Sequence, residues 1–179
     1  KLKLKPGVIT GSALQDLFGY LKSVKGALPA VNVIGSHTVV ALHESGYRPI
    51  IIDNFQNSEQ MMIQGIEEIC QNEIPCYEGD CTDKEFLTAV FQQEKYIAGV
   101  IHFAAYKAVH ESNRFPVKYY QNNLGSLMTL LNVMIEHQVP NLVFSSSCTV
   151  YGSPDVIPVT EDAPLKETHS TYGKTKQIC

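Results

Sequence analysis

The strongest constraint on the fold is an alternation that repeats along the chain. Short β-branched apolar runs are separated by stretches with helical spacing. The runs are Gly7–Thr10, Pro49–Asp53, Ile74–Glu78, Gly99–Phe103 and Asn141–Ser145. They do not alternate with polar residues, which marks strands buried on both faces, as parallel strands are. Pro49 stands at the start of its run, where a missing N–H is tolerated. Helical patterns fill the intervals. Ser36 to Ser45 ends at Gly46, a natural stop. Between Ser58 and Asn72, Met62, Ile66, Ile69 and Cys70 share one face, and so do Phe86, Leu87, Val90 and Phe91 after the N-cap candidate Asp83. Leu124, Leu127, Met128, Leu131 and Met134 trace a longer stripe, expected to pack in the core. Strands alternating with helices make βαβ units, and the expected fold class is α/β with a doubly wound parallel sheet. A length of 179 residues fits one such domain.

Composition removes several function classes. Lys and Arg number 14 against 18 Asp and Glu, a net charge of −4. That balance carries no electrostatic footprint for nucleic acid or an anionic membrane. No apolar run approaches the about 18 residues of a membrane span. Lys1–Lys5 is basic without an apolar stretch behind it, unlike a signal peptide. The five cysteines, Cys70, Cys76, Cys81, Cys148 and Cys179, form no metal-binding spacing. Free thiols in a reducing, cytoplasmic setting are the expectation.

A doubly wound sheet binds ligands beyond the carboxyl ends of its strands. After the first run comes Thr10-Gly11-Ser12-Ala13, and Ile34-Gly35-Ser36-His37-Thr38 later opens a helix. Glycines there bring backbone N–H groups and a helix N-terminus onto a pyrophosphate. A contiguous glycine motif is absent, and Gly11 and Gly35 as ordinary loop glycines remain open. Asp53 ends the second run, where a carboxylate accepts hydrogen bonds from an adenosine ribose and repels a 2′-phosphate. That favours NAD over NADP; a turn or N-cap aspartate is the other reading. Gly79-Asp80 suits an adenine edge or a turn. Phe103-Ala104-Ala105-Tyr106-Lys107 combines small residues, which permit close backbone approach, with a cation. Ser145-Ser146-Ser147 ends a buried strand, where hydroxyls need partners; capping of the strand end is the alternative.

Tyr172 and Lys176 stand four residues apart, on one face of a helix. An ammonium stabilises a neighbouring phenolate and so prepares a tyrosine for proton transfer. Ser147 is placed to hydrogen-bond the same hydroxyl.

Taken together, these residues resemble the N-terminal, cofactor-binding part of the UDP-glucose 4-epimerase family, extended short-chain dehydrogenases/reductases with a Rossmann-type domain. The resemblance rests on Ile34–Thr38, Ile52–Asn54 with Asn57-Ser58, Glu78–Asp80 and Val100–Ala105 with Lys107–Val109 and Glu111-Ser112. It continues through Tyr119–Asn123, Asn141–Ser147 with Thr149–Gly152, and Tyr172–Lys176. It covers Ile34 to the end almost without gaps, plus Gly7 to Ala13. It implies that Tyr172 is the base at the sugar 4-hydroxyl, that Lys176 assists it and bonds the nicotinamide ribose, and that Ser147 holds the same hydroxyl with Thr149 close by. It implies NAD as cofactor, bound by Gly11, Ile34, Gly35, Asp53, Asn54, Asn57, Ser58, Asp80, Cys81, Phe103, Ala104, Ala105, Lys107, Asn122, Tyr172 and Lys176. Substrate contacts would be Lys107, Ser147 and Tyr172. The implied reaction interconverts UDP-glucose and UDP-galactose by transient oxidation at sugar C4, in galactose metabolism. A UDP-hexose is the implied partner, with a homodimer through a helix pair in the full-length family.

Two departures stand out. Leu14 to Val33 separates the halves of the family's phosphate turn, and Asn32-Val33 replaces its middle glycine and aromatic. Foreign sequence is the favoured account of 14–33, and a genuine surface insertion is the alternative, which loops tolerate at modest cost. The chain also stops three residues after Lys176, so one expects a truncated domain over 1–179, no substrate-binding domain, weak NAD binding and little epimerase activity. Two rivals remain. A related 4,6-dehydratase would need an acidic residue at the Ser147-Cys148-Thr149 position. A non-catalytic NAD-binding module would keep NAD affinity in Tyr172→Phe.

Overall fold

The computed structural model describes residues 33–94 and 96–179. The first strand run Gly7–Thr10, with Gly11, and almost all of the 14–33 segment therefore lie outside the described residues.

Four of the five runs become strands. β1 (Ile51–Asp53) pairs in parallel with β2 (Cys76–Glu78), setting Ile51 opposite Cys76 and Asp53 opposite Glu78. β3 (Val100–His102) pairs in parallel with β4 (Leu142–Phe144), setting Val100 opposite Leu142 and His102 opposite Phe144. Each ladder extends one bond further, through Gly79 N–H to Asp53 O at 3.0 Å and Ser145 N–H to His102 O at 3.1 Å. Among the described residues these are two separate pairs, not one continuous sheet. Among the described residues each strand has one paired neighbour; its residues are largely half-buried, and Val143 is exposed.

Helices connect the strands: α1 (Val33–Glu44), α2 (Met61–Cys70), α3 (Lys84–Gln93), α4 (Val109–Arg114), α5 (Pro116–Glu136) and α6 (Thr171–Ile178). α1 starts three residues before the expected Ser36, so Ile34 and Gly35 sit in its first turn rather than in a loop before it. α3 is capped by Asp83, whose Oδ1 accepts from Phe86 N–H at 3.0 Å. Pro116 opens α5, where its missing N–H is not needed.

Helices lie on both faces. Ile51 packs against the cluster of Val40, Ile66 and Ile74, from α1 and α2 and the start of the second run. Ile52 packs against Leu87, Phe91, Leu130, Val133 and Met134 of α3 and α5. Adjacent strand residues point to opposite faces, so β1 is sandwiched between two helical layers, the doubly wound arrangement. Two details of the expected core change. Ile63 replaces Met62 in the α2 contact. On α5, Leu127 and Met134 are buried, but Met128 and Leu131 are exposed. The buried stripe of α5 runs instead through Tyr119, Asn123, Ser126, Leu127, Leu130, Val133 and Met134. At 100° per residue, Met128 and Leu131 fall on the flank away from it.

Candidate active site

The carboxyl ends of the strands gather most of the predicted residues. At the end of β1, Asp53 Oδ1 accepts from Phe55 N–H at 2.8 Å and from Ser58 Oγ at 2.8 Å. Phe55 takes a left-handed φ of 52° to allow that turn. The turn role that the sequence left open is thus real at one carboxylate oxygen. Asn54 Nδ2 donates to Asp80 Oδ2 at 3.0 Å, which ties the end of β1 to the end of β2. Asp80 Oδ1 accepts from Thr82 N–H and Oγ1 at 2.8 and 2.7 Å. Burial pushes the Asp80 carboxyl up, but these three donors outweigh it and hold it below the usual range. Cys81 packs against the core of α3 and α5, and burial raises its thiol to about 11. Asn57 is exposed.

The loop after β3 carries Phe103, Ala104, Ala105 and Lys107, of which Phe103, Ala104 and Lys107 are exposed. Asn122 of α5 lies against it through its neighbour, donating from Nδ2 to Asn123 Oδ1 at 2.9 Å. The ring of Tyr106 leans on that of Tyr119 at 5.6 Å.

After β4 the chain turns into a single 3-10 turn, Cys148–Tyr151. Ser147 caps it: its Oγ accepts from Thr149 N–H at 3.3 Å and from Thr149 Oγ1 at 3.0 Å. The capping role is therefore realised, and the Ser147 hydroxyl keeps its own proton to donate elsewhere. Gly152 ends the turn at φ 58°, with the Glu167 carbonyl oxygen occupying the space of a Cβ.

The short helix α6 brings Tyr172 and Lys176 to this end. Ser170 caps it, accepting from Gly173 N–H at 3.0 Å. Tyr172 is half-buried and Lys176 is buried. Lys176 Nζ donates to Ser145 O at 2.6 Å and stands 4.5 Å from the centroid of the Phe144 ring. Burial lowers its ammonium from the usual lysine value. A cation so placed is fixed to the end of β4, not free to wander in solvent.

Gly11 lies outside the described residues. Gly35 has open space where a Cβ would stand, so nothing in the described residues demands glycine there. Close by, His37 is buried, and its Nε2 has no hydrogen-bond partner among the described residues. Burial also lowers its pKa.

Two residues escaped the sequence reading. His102, at the end of β3, is buried, with Nε2 3.4 Å from Ser126 Oγ and its ring 6.1 Å from Phe144. Asn123 is buried inside α5. Each carried a signal: a histidine within an apolar strand run, and a poor helix former in mid-helix.

The donor set fits a dinucleotide. A carboxylate closes β1, where ribose hydroxyls need an acceptor. Small residues border the β3 end, and two lysines, Lys107 and Lys176, supply positive charge. The buried His37 Nε2 near the α1 N-terminus has no hydrogen-bond partner among the described residues.

The NAD dependent epimerase/dehydratase family matches residues 31–179. A UDP-glucose 4-epimerase of Dictyostelium discoideum is 50% identical over 143 residues, which are 80% of this chain and 41% of that protein. One from Bacillus subtilis is 46% identical over 143 residues, 80% of this chain and 42% of that protein. The crystal structure of UDP-glucose 4-epimerase from Bifidobacterium longum in complex with NAD+ and UDP superposes with a TM-score of 0.78 at 42% identity. It covers 81% of this chain and 43% of that one. The chain thus spans about two fifths of the length of the relatives it matches. A family match over most of the chain, and a likeness of fold at this identity, agree with the layering and the strand-end residues: the fold is Rossmann-type α/β, and the chain belongs to the NAD dependent epimerase/dehydratase family.

Proposed function

We propose that this chain is the NAD-binding portion of a UDP-glucose 4-epimerase, an enzyme that interconverts UDP-glucose and UDP-galactose. The observation that carries the reading is α6. It presents Tyr172 and a buried, anchored Lys176 at the end of the strand that bears Ser145–Ser147. Similarity to relatives with that printed name, one of them solved with NAD+ and UDP, supports it.

Asp53, Asn54, Asn57, Ser58, Asp80 and Cys81 border the adenosine end, and Phe103–Ala105, Lys107, Asn122, Tyr172 and Lys176 the nicotinamide end. Gly11, Ile34 and Gly35 serve the pyrophosphate. Bound NAD supplies the hydride acceptor and donor for sugar C4. Tyr172 takes the proton of the 4-hydroxyl and later returns it. Ser147 donates its remaining hydroxyl proton to the sugar oxygen, with Thr149 holding Ser147 in place. Lys107 adds a cation beside the substrate. Lys176, fixed by Ser145 O, offsets negative charge on Tyr172.

In this reading residues 1–179 form one cofactor domain interrupted at 14–33, with sugar selection made elsewhere in the full-length enzyme. The setting is the reducing cytoplasm of galactose metabolism, supported by the five free cysteines. No helix among the described residues is long and apolar enough to cross a membrane. The enzyme is a homodimer; an exposed apolar stripe on α5 supports that.

Titration of the chain with NAD+ by calorimetry tests the cofactor site, and Tyr172→Phe tests the chemistry. In the full-length enzyme, the substitution is expected to abolish conversion of UDP-galactose by orders of magnitude while NAD remains bound. Full turnover without the Tyr172 hydroxyl overturns the reading, as does a folded chain that binds no NAD.

A further inference from the structure

Gln177, near the end of α6, turns its carboxamide onto two backbone carbonyls. Nε2 donates to Val150 O at 2.6 Å and to Lys166 O at 2.7 Å. Both amide hydrogens are used. Val150 O lies at the end of a 3-10 turn that stops at Gly152, and Lys166 lies outside the helices and strands. Carbonyls at such places lack a partner in regular structure, and this side chain supplies one.

The segment 166–168 is wedged between that turn and α6. On one side, a Cβ at Gly152 would meet the Glu167 carbonyl oxygen and the Lys166 Cβ. On the other, a Cβ at Gly173 of α6 would meet the Thr168 side chain at 2.9 Å. Thr168 itself is buried. Gln177 thus ties together three pieces of chain that are already in close contact.

Its neighbour Lys176 reaches the same region from the other end. Lys176 Nζ donates to Ser145 O, and Gln177 Nε2 donates to Val150 O. Ser145 and Val150 bracket Ser147, whose Oγ accepts from Thr149 Oγ1 within the same span. Two adjacent side chains of one helix therefore grip 145–150 at both ends, and that helix carries Tyr172. Ordering a glutamine side chain costs rotamer entropy. Two hydrogen bonds to carbonyls offset it.

We propose that Gln177 is a positioning residue that pins the far end of 145–150 to α6 and so sets Ser147 against Tyr172. The two side-chain hydroxyls then meet one substrate hydroxyl in a fixed relation. That this hydroxyl belongs to a sugar rests on the function proposed above; the pin itself does not.

The test uses Gln177→Met, which keeps the length of the side chain and removes both donors. Gln177→Glu, whose carboxylate keeps the shape but cannot donate, is the second variant; if one does not fold, the other decides. In the NAD-free chain, amide hydrogen exchange at Val150 and Gly152 is expected to rise about fivefold or more, the worth of at least one hydrogen bond. Exchange in α3 stays unchanged. In the full-length enzyme, kcat for UDP-galactose is expected to fall about tenfold, as it does when reacting groups are misplaced. KM and NAD affinity stay within about twofold of wild type. In a Ser147→Ala background the same substitutions cost less than about twofold in kcat, because the group they position is gone. Unchanged exchange at Val150 and Gly152 overturns the pin. An unchanged kcat overturns positioning, and so does an equal loss of kcat in both backgrounds, which assigns Gln177 to general stability. A full-length wild-type enzyme without epimerase turnover refutes the functional reading alone, and the exchange experiment then decides the pin.

Discussion

The Tyr106 hydroxyl donates to Gln56 Oε1 at 2.7 Å, bridging the loop after β3 to the loop after β1. Those loops belong to different parallel pairs, and in the proposed site they border opposite ends of the cofactor. A hydrogen bond across that crevice restrains its opening. In Tyr106→Phe the ring keeps its contact with Tyr119 and the Lys118 ammonium 4.6 Å away, so only the bridge is lost. NAD is expected to dissociate about fivefold faster, with little change in Tm. Stopped-flow release of NAD measures this, and an unchanged rate removes the bridge from the account.

Gly152 is expected to resist substitution. Its φ of 58° is strained for any residue with a side chain, and a Cβ there collides with the Glu167 carbonyl oxygen. That partner is backbone and cannot rotate away. Gly152→Ala is therefore expected to cost about 2 kcal/mol or more. The damage falls on the 3-10 turn that holds Thr149 against Ser147. Denaturant unfolding gives the cost, and a loss below about 0.5 kcal/mol contradicts the strain.

How far the sequence could be read depended on whether a residue's role was local. The Asp83 cap and the Phe86, Leu87, Val90, Phe91 face follow from neighbours along one helix, and they stand as expected. So does the placing of Tyr172 and Lys176 on one helix. The α5 stripe differs from the expected one because an apolar helix face does not say which of two apolar flanks meets the sheet; Leu130 and Val133 are buried there and Met128 and Leu131 are exposed. The hydrogen bonds of Asn123 were invisible because its partners, Tyr106 and Thr175, lie 17 and 52 residues away. Ser147 and Asp53 showed the opposite case. The capping and turn roles stood as alternatives to binding, and the structure realises them in the same atoms that the proposed site needs.

His102 makes stability depend on pH. Burial lowers its pKa from 6.5 to about 4, and the Lys176 ammonium adds to the effect. The folded state therefore keeps this ring neutral where the unfolded chain would protonate it. The associated stability is full above pH 6.5 and declines as pH falls toward about 4. The loss approaches about 3 kcal/mol. His102→Gln is expected to remove this part of the acid limb, making the loss of stability between those pH values shallower. Urea unfolding at a series of pH values checks it; an equally steep limb in the variant points to another group.

The exposed flank of α5 bears on assembly. Met128, Leu131 and Ile135 are 63%, 38% and 74% exposed and recur at helical spacing, with Val117 exposed on the same side. A contiguous apolar stripe of this kind marks an interaction surface more often than a solvated one. In the proposed homodimer it packs against the same stripe of a second copy, since a two-fold interface uses one patch on both partners. Ile135→Lys places a charge within that contact, where burying it unpaired costs several kcal/mol. The wild-type protein is expected to sediment as a dimer and the variant as a monomer, with the same unfolding midpoint once dilution has separated the wild-type subunits. A wild-type monomer at all concentrations, or a dimer indifferent to Ile135→Lys, moves the interface off this helix.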